Sequence, residues 1–153
     1  MRRPRVVPAL LVLFVLVFAA CDEDGSPPGA APAAMQFLEH VDYGCVASRD
    51  GSLDCLAGAD VTGVEAVGDT VVLRIRFEAN CCPQFMETVT YEAGLLTIDV
   101  LDTLYACRCI CPFENAFRFL AEGSGEMRLL FQSRAARGGD ICLSGLDTTI
   151  AVP

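Results

Sequence analysis

The sequence predicts an all-β domain: an antiparallel β-sandwich of Ig-like or Greek-key type, or a partly open barrel, stapled by disulfides. Apolar and polar residues alternate with a period of two in several short runs after residue 70, which is typical of half-buried strands. Turn sequences such as Ala93-Gly94 and Gly123-Ser124-Gly125 separate these runs. The chain also has nine cysteines in 153 residues, which favours a disulfide-bonded exported protein. Only residues 35–41 have apolar spacing that a helix would also fit.

The first 20 residues have the features of a secretory leader. Met1-Arg2-Arg3-Pro4-Arg5 is positively charged, and residues 6–20 are apolar without a break. This run of about 15 residues is shorter than the roughly 20 that a membrane-spanning helix needs. We therefore expect residues 1–20 to be a signal peptide that is removed on export.

The end of the leader, Val17-Phe18-Ala19-Ala20-Cys21, resembles the lipobox of bacterial lipoproteins. In that family the cysteine thiol receives a diacylglyceryl group and becomes the mature N-terminus, so the resemblance implies that Cys21 is lipidated. Phe18 stands where the family more often has leucine. The alternative is a plain secreted protein that is cleaved before a cysteine by chance. A lipidated Cys21 would anchor the chain stably in a membrane of the bacterial cell envelope, with the domain in the periplasm or at the cell surface.

Residues 21–34 form the predicted tether, and residues 35–153 the single β-domain. The tether begins with Asp22-Glu23-Asp24, continues with proline, glycine and alanine, and has no apolar periodicity. Such a segment cannot bury enough apolar surface to fold and is expected to be a semi-extended linker. The remaining length suits one compact domain.

The charge of the chain restricts its partners. Three of the 11 basic residues lie in the leader, which leaves eight against 20 acidic residues, a net charge of −12 for the rest of the chain. All the basic residues are arginine. A domain this acidic is not expected to bind nucleic acid. We expect contact with the membrane through the lipid, and with another envelope protein or a polysaccharide as the partner.

The first predicted strand pair is a hairpin over residues 44–56. Arg49-Asp50-Gly51 suits a three-residue loop with Gly51 in the left-handed conformation. Counting outward from that loop places Cys45 opposite Cys55, so the sequence predicts a local disulfide between them. The acidic spacing of this loop does not fit an EF-hand, which would need glycine where Cys55 stands.

Six further strands follow from the alternation of apolar and polar residues. Each predicted strand has one apolar face that we expect to lie in the core. These faces comprise Val71, Leu73, Ile75 and Phe77; Val89 and Tyr91; Leu96, Ile98 and Val100; Phe117, Phe119 and Ala121; Met127, Leu129 and Phe131; and the terminal run Thr148–Val152.

Five cysteines lie in two short segments, Asn80-Cys81-Cys82-Pro83 and Cys107-Arg108-Cys109-Ile110-Cys111. In a strand, Cys107, Cys109 and Cys111 would share one face, with successive Cα atoms roughly 6.5 Å apart and parallel Cβ vectors. Such cysteines are poorly placed to bridge each other. We therefore expect each to bond to one of Cys81, Cys82 and Cys142, with the choice among these pairings open.

The alternative for these five cysteines is a functional thiolate site. Soft sulfur ligands favour Cu(I), zinc or iron–sulfur clusters, so Cys81, Cys82, Cys107, Cys109 and Cys111 could bind a metal or exchange disulfides. The spacing C-x-C-x-C does not fit the usual zinc signature, and no C-x-x-C redox motif is present. An exported chain also favours disulfides.

The arrangement Asn80-Cys81-Cys82, then two predicted strands, then Cys107-x-Cys109-x-Cys111-Pro112-Phe113-Glu114 resembles a group of small bacterial envelope lipoproteins with N-C-C and C-x-C-x-C motifs. The likeness covers residues 70–132. It implies a lipid-anchored β-domain and no activity. Cys45, Cys55 and Cys142 are not part of the shared pattern.

No catalytic constellation stands out in the sequence. The single histidine, His40, follows the linker and is expected to be an ordinary surface residue. No phosphate-binding glycine loop, HExxH motif or Rossmann fingerprint is present. The sequence therefore predicts a structural or interaction module of the cell envelope, not an enzyme, that needs no cofactor.

Overall fold

The structure, a computed structural model, describes residues 30–45, 58–104, 110–137 and 140–153, and only the backbone of residues 110, 135–137 and 140–142. These ranges contain strands and no helix, which confirms the all-β class. The strands are β1 (Ala34–Cys45), β2 (Asp60–Val67), β3 (Thr70–Asn80), β4 (Phe85–Glu92), β5 (Leu95–Asp102), β6 (Ile110–Glu122), β7 (Gly125–Arg137) and β8 (Asp140–Val152).

The described strands form two separate four-stranded sheets, so the architecture is a sandwich and not a closed barrel. Sheet A has the order β1-β6-β3-β2, and sheet B has the order β4-β5-β7-β8. Neighbouring strands are antiparallel except β5 and β7, which are parallel. This one parallel pair arises because the chain leaves sheet B after β5, adds β6 to sheet A, and returns to sheet B as β7.

The core lies between the inner faces of the two sheets, as the period-two pattern predicts. The predicted inward residues that are buried are Val71, Leu73, Ile75, Phe77, Leu96, Ile98, Val100, Phe117, Phe119, Met127, Leu129 and Phe131. Val89, Tyr91 and Ala121 are partly buried against them. Phe77 of β3 contacts Phe131 of β7, with ring centroids 5.1 Å apart, and so joins the sheets. Each such buried side chain contributes about 1.5–3 kcal/mol through the hydrophobic effect.

The structure corrects the interpretation of residues 35–41, which lie in β1 and not in a helix. β1 pairs with β6, and its register shifts between Phe37 and Glu39. The bulge moves the apolar residues out of strict alternation, which explains the ambiguous spacing in the sequence. Phe37 packs on Phe119 of the neighbouring strand, with centroids 5.7 Å apart. β2, which the sequence did not predict, also contains a bulge, between Val61 and Gly63.

The sandwich has two chemically different ends. The turns Gly68-Asp69, Ala93-Gly94 and Gly123-Ser124 lie together at one end, which we call the turn end. The antiparallel and parallel registers place the last residue of β1, the β3–β4 connection and the first residues of β6 and β8 at the opposite end. We call this opposite end the cysteine-rich end, because it carries Cys45, Cys81, Cys82 and Cys111.

The last residues of the predicted tether contact the turn end. The Ala33 N–H donates to the Glu122 carbonyl at 2.9 Å, and the Tyr91 hydroxyl donates to the carbonyl of Pro32. Burial raises the pKa of Tyr91 above its ordinary value of 10.0. Gly125 has φ +146°, and a Cβ added there would lie 1.6 Å from the Ala30 carbonyl oxygen, so this close approach requires glycine.

Candidate functional site

The cysteine-rich end is the candidate site because the ends of three strands and one connection bring cysteines to it. Cys45 ends β1, and Cys111 is the second residue of β6. Cys81 and Cys82 connect β3 to β4. Cys142 is the third residue of β8, where its backbone pairs with Ala135. Residues that are far apart in the sequence therefore meet at one end of the fold.

Cys45 and Cys111 form a disulfide with a Cα–Cα distance of 5.8 Å. β1 pairs with β6 so that Cys45 lies opposite Phe113, which places Cys111 one diagonal step away. Cys111 is buried in the core, whereas Cys45 is exposed. The bond thus ties the edge strand β1 of sheet A to the adjacent inner strand β6 at the last residue of β1.

This disulfide overturns two sequence-based pairings. Cys45 is not bonded to Cys55, and Cys111 is not bonded to Cys81, Cys82 or Cys142. Both predictions were wrong because β1 was not recognised as a strand beside β6, so its last residue was assigned to a local hairpin. Cys55 and the rest of that hairpin lie outside the described residues.

Cys81 and Cys82 are also disulfide-bonded. Neither can be bonded to Cys45 or Cys111, because those two are bonded to each other. Cys107 and Cys109, the predicted partners in the neighbouring segment, lie outside the described residues, as does the side chain of Cys142. The prediction that Cys81 and Cys82 are disulfide cysteines agrees with this oxidised state.

A buried polar clamp holds the segment that carries Cys81 and Cys82. The Asp102 carboxylate is fully buried and accepts three hydrogen bonds: from Asn80 Nδ2 at 2.7 Å, and from the Gln84 and Leu104 N–H groups at 3.1 Å. Asn80 Nδ2 also contacts the Leu104 carbonyl at 3.2 Å. Both ends of the β3–β4 connection are therefore fixed to the end of β5, which leads towards the second cysteine segment.

A second buried polar group joins the two sheets about midway along β1. The His40 side chain is only 6% exposed, which corrects the expectation of a surface residue. Its Nε2 lies 2.7 Å from Oδ1 of buried Asn115, its Nδ1 lies 3.7 Å from Glu87 Oε2, and its ring stacks on Phe117 with centroids 4.6 Å apart. Both ring nitrogens face acceptor oxygens, and His40 therefore connects β1 and β6 of sheet A to β4 of sheet B.

Sequence reasoning missed the Asp102 clamp and the His40 contacts. The only available signal was polar residues at positions that the period-two pattern assigns to the core, such as Asp102 after Val100. A buried polar group needs a partner, but the sequence does not show that Asp102 meets Asn80 and Gln84, or that β1 pairs with β6 beside His40.

The described side chains do not provide a metal centre of the predicted kind. Among them, no group of three or more histidine, cysteine, aspartate or glutamate residues is placed to bind a metal ion. Of the five cysteines proposed as thiolate ligands, Cys81, Cys82 and Cys111 are in disulfides. The arrangement can lock loops together and present them as a fixed surface.

No helix among the described residues has the length and apolar character needed to cross a membrane.

No protein-family model, curated protein or solved structure matches this chain.

Proposed function

We propose that this chain is a lipid-anchored protein of the bacterial cell envelope that acts as a structural or interaction module. The observation that carries the proposal is the leader that ends in Val17-Phe18-Ala19-Ala20-Cys21, followed by an acidic, proline-rich tether. A lipidated Cys21 would hold the sandwich at a membrane, in the periplasm or at the cell surface. We assign it no catalytic role and no cofactor.

The oxidised cysteines support a protein that works outside the cytosol. Disulfides persist in oxidising compartments and are rare where thiols are kept reduced. The described domain has Cys45, Cys81, Cys82 and Cys111 in disulfides, all at one end of the sandwich. Stapled connections keep a surface in one conformation, which lowers the entropy cost of binding a partner. This is what an interaction module requires.

The thiolate metal site is the weaker proposal. A metal ligand or attacking nucleophile must be a thiolate, and the sulfurs of Cys81, Cys82 and Cys111 are in disulfides. The redox version of the alternative would need these bonds to be reduced under mild conditions. It therefore predicts free thiols in protein taken from its own envelope.

Substitution of Cys21 tests the proposed function. The Cys21→Ser variant should lose the acyl group and move from the membrane fraction to the soluble fraction of a cell lysate. Phe18→Leu is the matched control, because leucine is the residue more common at this position of lipoboxes, and it should stay in the membrane fraction. Wild-type protein that is cytosolic and retains residues 1–20 would contradict the proposal.

A further inference from the structure

We infer that the anchored domain stands with its turn end towards the bilayer and presents its cysteine-rich end to the aqueous compartment. The inference rests on the proposed lipidation of Cys21, and it specifies which surface faces lipid and which one a partner can reach. Three observations carry it: where the chain joins the sandwich, how far the tether can reach, and the charge of the turn end.

The chain joins the sandwich at the turn end. Ala30 lies against Gly125, Pro32 is buried and accepts a hydrogen bond from Tyr91, and Ala33 donates to Glu122. These contacts fix residues 30–33 between the β4–β5 and β6–β7 turns. Residues 30–34 of the predicted linker therefore belong to the sandwich, which leaves at most residues 22–29 between Cys21 and the domain.

The remaining tether is shorter than the sandwich is long. From Cys21 to Ala30 a fully extended chain spans at most about 30 Å. β6 runs from the cysteine-rich end to the turn end over 13 residues, a length of about 40 Å at the rise of a strand. An inverted domain, with the cysteine-rich end on the bilayer, would hold the turn end farther from the membrane than the tether can reach.

Charge keeps the turn end from adsorbing to anionic lipid. Asp69, Glu92, Glu122 and Glu126 are exposed there, and none forms an ion pair among the described side chains. The guanidinium of Arg128 near this end is bound to Asp147, with contacts of 2.8 and 2.6 Å. Anionic headgroups would repel these carboxylates over roughly a Debye length, so the domain stands off the surface on its tether.

Energy transfer to the membrane surface tests the orientation. Val67 at the turn end and Leu143 at the cysteine-rich end have similar exposed fractions, 71% and 63%. Each residue is replaced, in a separate variant, by an unnatural amino acid to which a donor dye is attached. The full-length lipidated protein is then inserted into vesicles of phosphatidylethanolamine and phosphatidylglycerol. An acceptor dye is attached to the lipid headgroups. We expect greater transfer from position 67 than from position 143.

A variant with a longer tether and the Cys21→Ser variant serve as controls for this measurement. Duplicating residues 22–29 doubles the free tether, so the difference between positions 67 and 143 should shrink if the short tether sets the orientation. Equal transfer from the two positions at the natural tether length, or greater transfer from position 143, would overturn the inference. Wild-type protein that fails to bind the vesicles, as Cys21→Ser should fail, would instead contradict the proposed lipid anchor.

Discussion

At the scale of single residues, buried polar side chains determine how the two sheets and their connections are held. The hydrophobic effect favours burial but has no direction, so by itself it does not specify which polar groups face each other. The hydrogen bonds that Asp102 accepts, and the one between His40 and Asn115, do have direction, and they join different strands and connections. A buried polar group that loses its partner costs free energy. These two residues are therefore the sharpest test of the described packing.

Asp102→Asn should destabilise the domain by about 2–4 kcal/mol, because a buried carboxylate that accepts three hydrogen bonds is replaced by an amide with a single acceptor oxygen. The new NH2 group of the side chain would then face another donor, either Asn80 Nδ2 or the backbone N–H of Gln84 or Leu104. Urea unfolding measures the free energy. Asp147→Asn, at an exposed position in β8, is the control and should cost well under half as much; equal costs would argue against the clamp.

His40→Ala should lower the free energy of unfolding by about 2–4 kcal/mol, since the substitution leaves a cavity against Phe117 and removes the partner of Asn115. Gln36→Ala is the matched control, because it lies on the same strand and is exposed. Chemical denaturation of the two variants side by side gives the comparison. If His40 were the surface residue that the sequence suggests, both variants would be close to the wild type.

At the scale of elements, the sequence predicted strands with strict alternation and missed those with bulges. β3, β5 and β7 alternate without interruption along their inward faces, and residues such as Leu73, Ile98 and Leu129 were placed correctly. β1 and β2 contain register shifts, which add a residue on one side and break the period of two. The error in β1 then produced the wrong pairing of Cys45, because a disulfide depends on which strands are neighbours.

The Cys45–Cys111 disulfide closes a sequence separation of 66 residues. Replacing both cysteines by alanine should therefore cost about 2–4 kcal/mol by releasing the unfolded chain. Double substitution avoids a lone thiol that could exchange with the bonds at Cys81 and Cys82. Thermal unfolding of the variant checks the magnitude. Peptide mapping of non-reduced wild-type protein should find Cys45 linked to Cys111, and a link to Cys55 would contradict the described β1–β6 register.

Glu114 connects three strands on the outer face of sheet A. It accepts a hydrogen bond from Thr62 of β2 at 2.8 Å and pairs with Arg76 of β3 at 3.2 Å. The Thr62 hydrogen bond and then Arg76 lower the pKa of Glu114 below its ordinary value of 4.5. Because the folded pKa is lower than the unfolded one, this contribution to stability is present above pH 4.5 and is lost as the pH falls through the folded pKa.

Glu114→Gln should therefore reduce the loss of stability on acidification below about pH 4.5. The measurement is the free energy of unfolding in urea at a series of pH values from 7 to 3. Glu122→Gln on the same strand is the control, because its carboxylate makes no ion pair among the described side chains. An unchanged acid profile in the Glu114 variant would show that the Thr62 and Arg76 contacts do not form.

At the scale of the whole molecule, two ends with different chemistry lie about one strand length apart. The turn end is acidic and receives the chain from the tether. The cysteine-rich end combines disulfides with the buried Asp102 clamp. The class of fold and the clustering of cysteines in sequence were predictable. The cysteines come together at the end opposite the tether because β1 pairs with β6 and β5 pairs with β7. Only the three-dimensional fold specifies these pairings.

The most direct test of the proposed function is the intact mass of the protein purified from its own envelope, alkylated before and after reduction, with metal analysis of the same sample. We expect a chain that begins at an acylated Cys21, with no free thiols before reduction and no bound metal. Several free thiols with a stoichiometric metal would make the two cysteine segments a functional thiolate site. An unprocessed chain that retains residues 1–20 would contradict the lipid anchor itself.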